Sequence, residues 1–555
     1  MPHPRHLTGR ALARASGGRW AVLAGILTAV SLGGGLPACS RDTAAPPSNT
    51  SPVPPPANPA VVNEEDGTGG TLKLALVAPD TIDPAQIVPT DPAEVITADL
   101  LFDGLTSIDP KTSQAVAAVA ERWEPNESLT SWTFHLRADA TFSNSTPLTA
   151  ADVKFSLERV VQRGKLSLAG PRLDVVGGFT ELQAGTATEM VGLVVVDDRT
   201  LKVDLLTPYA GLPELVASAS FGIVSKEVFT SGVPAVALSG GFTLTERDAT
   251  RARLERRPGA NVRLDAVEMI RYTDDEAAWK AFRDGAVNWV LVPASRHDEA
   301  VADFGTAAFT PLGATAFIGF NLVDPKFVDP RFRKAILRAL DRVALAKVAP
   351  IGRATQTAIV PPGVPGAVGE DCGTACRQDI DEAKRLLAEA FPNGVYPAVA
   401  LAVPEGGAEK LVADEVLRQL ADVNVPVIVA TMPFEQYRVF STSGQQQMFW
   451  YGWAGLFPDP DAYLGRLFLT ASKDNVTGFH SEDIDSAIRD ARGTADRAER
   501  LRLYGEIERR LVEEAAVIPV SAYELEAAVS AQVRNFRWRL DGTFVVGDVW
   551  VKPTG

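Results

Sequence analysis

Between residues 120 and 157 the chain reads Ala120-Glu121-Arg122-Trp123, then Trp132-Thr133-Phe134-His135-Leu136-Arg137, Thr141-Phe142, and Pro147-Leu148-Thr149-Ala150-Ala151-Asp152-Val153-Lys154-Phe155-Ser156-Leu157. Trp132, Phe134 and Leu136 alternate with Thr133, His135 and Arg137, a period of two that puts the apolar residues on one face of a half-buried strand. The period then changes. Val153, Leu157 and Val160 are spaced for one face of a helix, and Thr149 with Asp152 three positions on has the pattern of a capping box that opens it. A strand followed closely by a capped helix predicts a mixed α/β fold.

The same alternation extends outward in both directions, with no internal repeat. Leu72, Leu74 and Leu76 mark a strand over Thr71–Val77, and Val194 and Val196, then Asp197-Asp198-Arg199, then Leu201, Val203 and Leu205 predict a hairpin. Asp329-Pro330 is a cap with a first-turn proline. It precedes the stripe Phe332, Ala335, Ile336, Ala339, Leu340 and Val343. Asp379 opens a helix carrying Ile380, Ala383, Leu387 and Ala390 that ends at Pro392-Asn393-Gly394, and Leu501, Tyr504, Ile507 and Leu511 mark a further one.

The N-terminus carries an address. Arg5, Arg10, Arg14 and Arg19 precede an apolar run from Trp20 to Leu32, and Leu36-Pro37-Ala38-Cys39 follows. The run is too short to span a bilayer, which takes about 20 apolar residues, so residues 1–38 are expected to be a cleaved signal peptide. Leu36 to Cys39 resembles the lipobox of bacterial lipoproteins, which implies acylation of Cys39. Residues 39–69 would then be a lipidated cysteine and a semi-extended tether, rich in prolines such as Pro46, Pro47 and Pro54–Pro56. Cys372 and Cys376 are the other two cysteines, and in an exported protein a disulfide between them is expected. A metal site is the alternative, but two thiols without a nearby histidine supply half a zinc shell.

Composition excludes several classes of function. The chain has 555 residues, 46% of them hydrophobic, and a formal net charge of −15; loss of the signal-peptide arginines makes it more acidic still, and nucleic acid is not an expected partner. His135, His297 and His480 are the histidines left after cleavage, and none sits in an HExxH pattern. No Gly-x-Ser-x-Gly elbow, Walker loop or strand-borne GxGxxG is present. No cofactor or metal is expected. Carboxylates without a short signature could still serve a secreted hydrolase, and a ligand-sensing surface protein is another reading.

The 120–157 segment, together with Tyr451-Gly452-Trp453-Ala454-Gly455-Leu456-Phe457-Pro458-Asp459-Pro460, resembles the extracellular solute-binding proteins of family 5, the oligopeptide-, dipeptide- and nickel-binding receptors of ABC importers. Weaker similarity runs in order through residues 70 to 530, with Ser145 standing where the family usually has a turn glycine. The resemblance implies a two-lobed periplasmic-binding-protein-like α/β fold with an extra domain beside lobe I. Lobe I would comprise 70–107, 236–312 and 517–555, the accessory domain 108–235, and lobe II 313–516. It further implies a monomeric, non-catalytic receptor on the outer face of the cytoplasmic membrane, with ABC permease subunits and a small ligand as partners. The cleft would be lined by Asp91, Pro92, Leu291, Asn321, Gly452, Trp453, Leu456, Phe457 and Asp459, with the Trp453 indole as one wall.

One departure bears on the ligand. In the peptide receptors the aspartate of the Asp-Tyr-Pro-Asp-Pro segment pairs with the ligand's α-amine, and here that position is Leu456. Leucine cannot neutralise an ammonium group, and the strand Gly285 to Leu291 is also apolar. The expected ligand is a peptide, a blocked or modified peptide, or an apolar compound such as a porphyrin, unless Asp91 or Asp459 meets the amine instead.

Overall fold

The computed structural model describes residues 66–79, 82–163, 169–227, 237–305, 309–348, 354–356, 358–369, 375, 377–407 and 409–553. The signal peptide, Cys39, most of the tether, and Cys372 with Cys376 lie outside the described residues. No helix among the described residues is long and apolar enough to cross a membrane.

One sheet runs through both lobes. Its order is Val427–Met432, Val399–Pro404, Met448–Ala454, Phe309–Phe320, Val517–Val529, Trp289–Leu291, Thr71–Leu74, Ala266–Ile270, Arg251–Arg256 and Phe242–Arg247, with Ala354–Thr355 beside Val517–Val529. Two long antiparallel strands join the halves. Phe309–Pro311 pair with Glu524–Glu526 and Thr315–Gly319 with residues 517–522, while Ala527–Val529 pair with Trp289–Leu291. Between those stretches Leu312, Gly313 and Ala314 stand opposite Tyr523 alone, a bulge. Its main-chain groups find partners elsewhere: Gly313 N donates to Leu540 O (2.6 Å), and Gly313 O accepts from Gly455 N (2.8 Å) and Tyr463 Oη (2.7 Å).

The accessory sheet is Ala120–Pro125, Ser131–Leu136, Thr200–Asp204 and Leu193–Asp197 in spatial order. Trp132, Phe134 and Leu136 point inward from it, against the helix Ala150–Gln162, in which Val153, Leu157 and Val160 are buried. The Asp152 carboxylate accepts from Thr149 N (3.0 Å) and Thr149 Oγ1 (2.7 Å), closing the helix start. Trp453, Phe457, Tyr463, Tyr504 and Leu511 belong to the same cluster. Separate cores form around Phe320, Phe327, Phe332 and Phe449 and around Leu72, Leu74, Phe242 and Trp289. Each such ring buried stabilises the fold by about 1.5–3 kcal/mol.

Two stripes differ from the sequence expectation. Val343 is 50% exposed, because the helix Pro330–Ala339 ends when Leu340 turns to extended backbone (ψ 126°) and a new helix begins at Arg342. Val194 and Val196 form the predicted hairpin but are exposed. They lie on the edge strand of the sheet, which buries Leu193 alone. Asp329 and Asp379 cap their helices as expected, accepting from Arg331 N and Glu382 N.

Candidate functional site

A cavity of about 240 Å³ opens where the accessory domain, the bulged strand and the C-terminal hairpin meet. The ribbon around Ile108–Ser113 supplies one wall, Thr310–Gly313 the floor, Gly455–Pro458 a second wall and Trp538–Asp541 a third. It narrows into a space of about 50 Å³ between Ile87–Val95, Ser218–Ser220, Leu312–Ala314, Ala454–Leu456 and Leu540–Gly542. Ser218, Gly313, Gly455, Leu456, Leu540 and Asp541 line both parts, so the two are one cleft. Elements from every part of the fold converge there, which suits a site whose occupant bridges lobes.

Most of the lining is apolar. Of the charged residues in the wider part, Arg539 is committed to the fold. It donates to Asp99 (3.0 and 3.1 Å), Ser107 Oγ (3.2 Å) and Ile108 O (3.4 Å). Burial pushes the Asp99 carboxyl up, and the Arg539 charge opposes that shift. Lys111 and Asp541 are the exposed charges of the lining.

The structure brings together Pro92, Leu456 and Phe457 of the residues picked from sequence: Leu456 in both parts, Phe457 in the wider and Pro92 in the narrower. The other six line neither part. Asp91 caps the helix Pro92–Leu101, accepting from Ala93 N (2.9 Å) and Glu94 N (3.3 Å). Leu291 packs on the core around Leu72, Leu74 and Trp289, opposite Ala527. Asn321 is buried, its amide donating to Gly444 O and Gln446 O at 2.9 Å each. Gly452 is exposed opposite Ala316, and a Cβ there would come within 2.8 Å of Tyr523 Oη. Trp453 is 9% exposed, its indole N–H donating to Ala462 O (2.8 Å) and its ring covered by the Arg172 guanidinium at 4.7 Å. Asp459 is buried. It accepts from Asp461 N (2.9 Å) and faces Arg500 at 3.6 Å, and burial pushes its carboxyl up to about 6 against the pull of Arg500.

Around Trp453 two segments distant in sequence are clamped together by charge. Arg466 holds Asp474 (2.8 Å) and Asp174 (2.7 Å), while Arg172 pairs with Asp474 from the other side. Sequence reasoning missed the hairpin residues Trp538, Leu540 and Asp541. The signal was there: Asp541-Gly542 between Phe536, Trp538 and Phe544 is a hairpin turn flanked by alternating aromatics. Among the described residues, no group of three or more His, Cys, Asp or Glu side chains is placed to hold a metal ion.

The chain is similar to known proteins over most of its length. It is 26% identical over 459 residues to the dipeptide-binding protein DppE of Bacillus subtilis (strain 168), covering 78% of this chain and 83% of that protein. It is 24% identical over 490 residues to the probable deoxycholate-binding periplasmic protein YgiS of Escherichia coli (strain K12), covering 82% and 89%. In structure it matches the unliganded open form of the murein tripeptide binding protein MppA with a TM-score of 0.74 at 22% identity, over 88% of this chain and 98% of that one. The architecture is therefore that of the two-lobed periplasmic binding proteins. The family model of bacterial extracellular solute-binding proteins, family 5 (middle), matches residues 114–475, and the chain belongs to that family.

Proposed function

We propose that this protein is the capture component of an ABC importer, binding a peptide or a more apolar small ligand in the cleft at the Gly313 bulge. The observation that carries the reading is the position of the cleft: its walls come from both strands that join the lobes and from Leu456 opposite them. A ligand held there touches both lobes and so favours the closed form, which a permease can distinguish from the open one. The apolar lining and Leu456 support ligands with a large hydrophobic surface, and relatives described as dipeptide- and deoxycholate-binding span that range. The protein acts without turnover. It is a monomer held by acylated Cys39 at the outer face of the cytoplasmic membrane, residues 40–69 serving as tether. Its lobes are 70–107, 236–312 and 517–555 for the first and 313–516 for the second, with 108–235 as the accessory domain. Cys372 and Cys376 form a local disulfide.

Thermal unfolding of the purified protein against di- to pentapeptides, bile acids and haem tests this reading. A ligand present at 100 times its Kd adds about 2.7 kcal/mol to stability by mass action. A shift with the ligand recovered intact is expected. No shift with any class, or ligand consumed by the protein, would overturn it.

A further inference from the structure

From the cleft geometry we infer that Asp541, on the C-terminal hairpin, is the anchor for a cationic group of the ligand, taking the charge-neutralising role that Leu456 cannot fill. The inference rests on the capture reading above and specifies the ligand further: an ammonium group set beside an apolar body.

Asp541 lines both parts of the cleft and is exposed. Among the described residues lining the narrow part it is the one charged side chain, the rest being chiefly Pro89, Pro92, Leu312, Leu456 and Leu540. Its position is fixed twice over. Leu540 O accepts from Gly313 N at 2.6 Å, tying the turn to the bulged strand. The turn itself closes by Gly542 N donating to Arg539 O at 3.1 Å, with Gly542 at φ +82°, where a side chain would be strained.

The carboxylate is oriented as well. Oδ1 accepts from Thr543 N (2.9 Å) and Thr543 Oγ1 (2.6 Å), while Oδ2 has no protein partner among the described residues. The neighbouring cation is shared: Arg539 makes its hydrogen-bonded ion pair with Asp99 at 3.0 Å and feels Asp541 through charge alone. Lys111 lies in the wider part and does not line the narrow one.

An ammonium group has three donors to distribute, and the fixed carboxylate offers its second oxygen as a charge-assisted acceptor for one of them, while the apolar walls of the narrow part accommodate the rest of the ligand.

The test is calorimetric titration of the intact protein with di- to pentapeptides, each as free amine and as N-acetyl derivative, and with deoxycholate as an amine-free amphiphile. The expected result is that wild type prefers the free amine by about tenfold or more. Asp541→Asn keeps the acceptor for Thr543 and the melting temperature but loses that preference, and Leu456→Asp in the Asp541→Asn background restores it. Preference retained in Asp541→Asn overturns the inference and leaves the capture reading standing, as does wild type binding acetylated peptides or deoxycholate as tightly as free peptides. Failure of every peptide to bind wild type overturns the inference, and failure of deoxycholate and of haem in the thermal screen as well overturns the capture reading with it.

Discussion

Trp453→Ala is expected to damage the fold and spare the cleft. The indole is 9% exposed within the core that also holds Phe134, Leu157 and Tyr504, and it carries Arg172 on its face at 4.7 Å. Removing a buried tryptophan side chain costs about 3–5 kcal/mol through lost contacts and the cavity left behind. The Ala462 carbonyl loses its 2.8 Å donor, which adds about 1 kcal/mol. Trp453→Phe keeps a ring under Arg172 and should lose about 1–2 kcal/mol. Urea unfolding followed by circular dichroism gives the stabilities, and titration of the surviving folded protein gives affinity. Because Trp453 lines neither part of the cleft, affinity should change by less than about threefold, under 0.7 kcal/mol. An Ala variant that unfolds with wild type but binds ligand tenfold more weakly would refute the core assignment and make the indole a cleft wall.

Glu508 is fully buried, accepting from Ile359 N (2.7 Å), Val360 N (2.6 Å) and Val368 N (3.2 Å), and burial pushes its carboxyl from 4.5 up to about 7 despite those donors. The folded state therefore binds an extra proton between roughly pH 4.5 and 7, and stability should fall by roughly 3 kcal/mol as pH rises through that window; Glu508→Gln should flatten the profile, and an unchanged profile would count against the assignment. Arg466→Leu removes the 2.7 Å partner of the part-exposed Asp174 and leaves Asp474 to Arg172, a loss of about 1–2 kcal/mol after screening by solvent that denaturant unfolding would register; a neutral result would mean the clamp contributes nothing. Cys39→Ala should release the protein from the membrane with an unchanged melting temperature, read by fractionation, and retention of a processed variant would rule out lipid anchoring.

Local chemistry was legible in the sequence and long-range placement was not. Asp329, Asp379 and the Thr149–Asp152 pair cap helices as their spacing predicts, because a cap involves residues within one turn. Period two correctly buried Leu72, Leu74 and Leu76. Polar residues near the family-like motifs were harder to place. Asn321 and Asp459 hold backbone and a buried arginine instead of lining the cleft, a distinction that depends on neighbours far away in sequence. Asp541 escaped notice for the same reason. Its importance comes from the contact between Leu540 and Gly313, residues more than two hundred positions apart.

The bulge at Leu312–Ala314 also joins segments that are far apart in the chain. Both strands that join the lobes are hydrogen-bonded to each other on either side of it. The step where they part is tied to other segments instead: Gly313 N donates to Leu540 O (2.6 Å), Gly313 O accepts from Gly455 N (2.8 Å), and Ala314 pairs with Ala454. Leu312, Gly313 and Ala314 also form the wall of the narrow part of the cleft. A solute lodged there meets the step at which the C-terminal hairpin, the Gly455 segment and the long strand are stitched together.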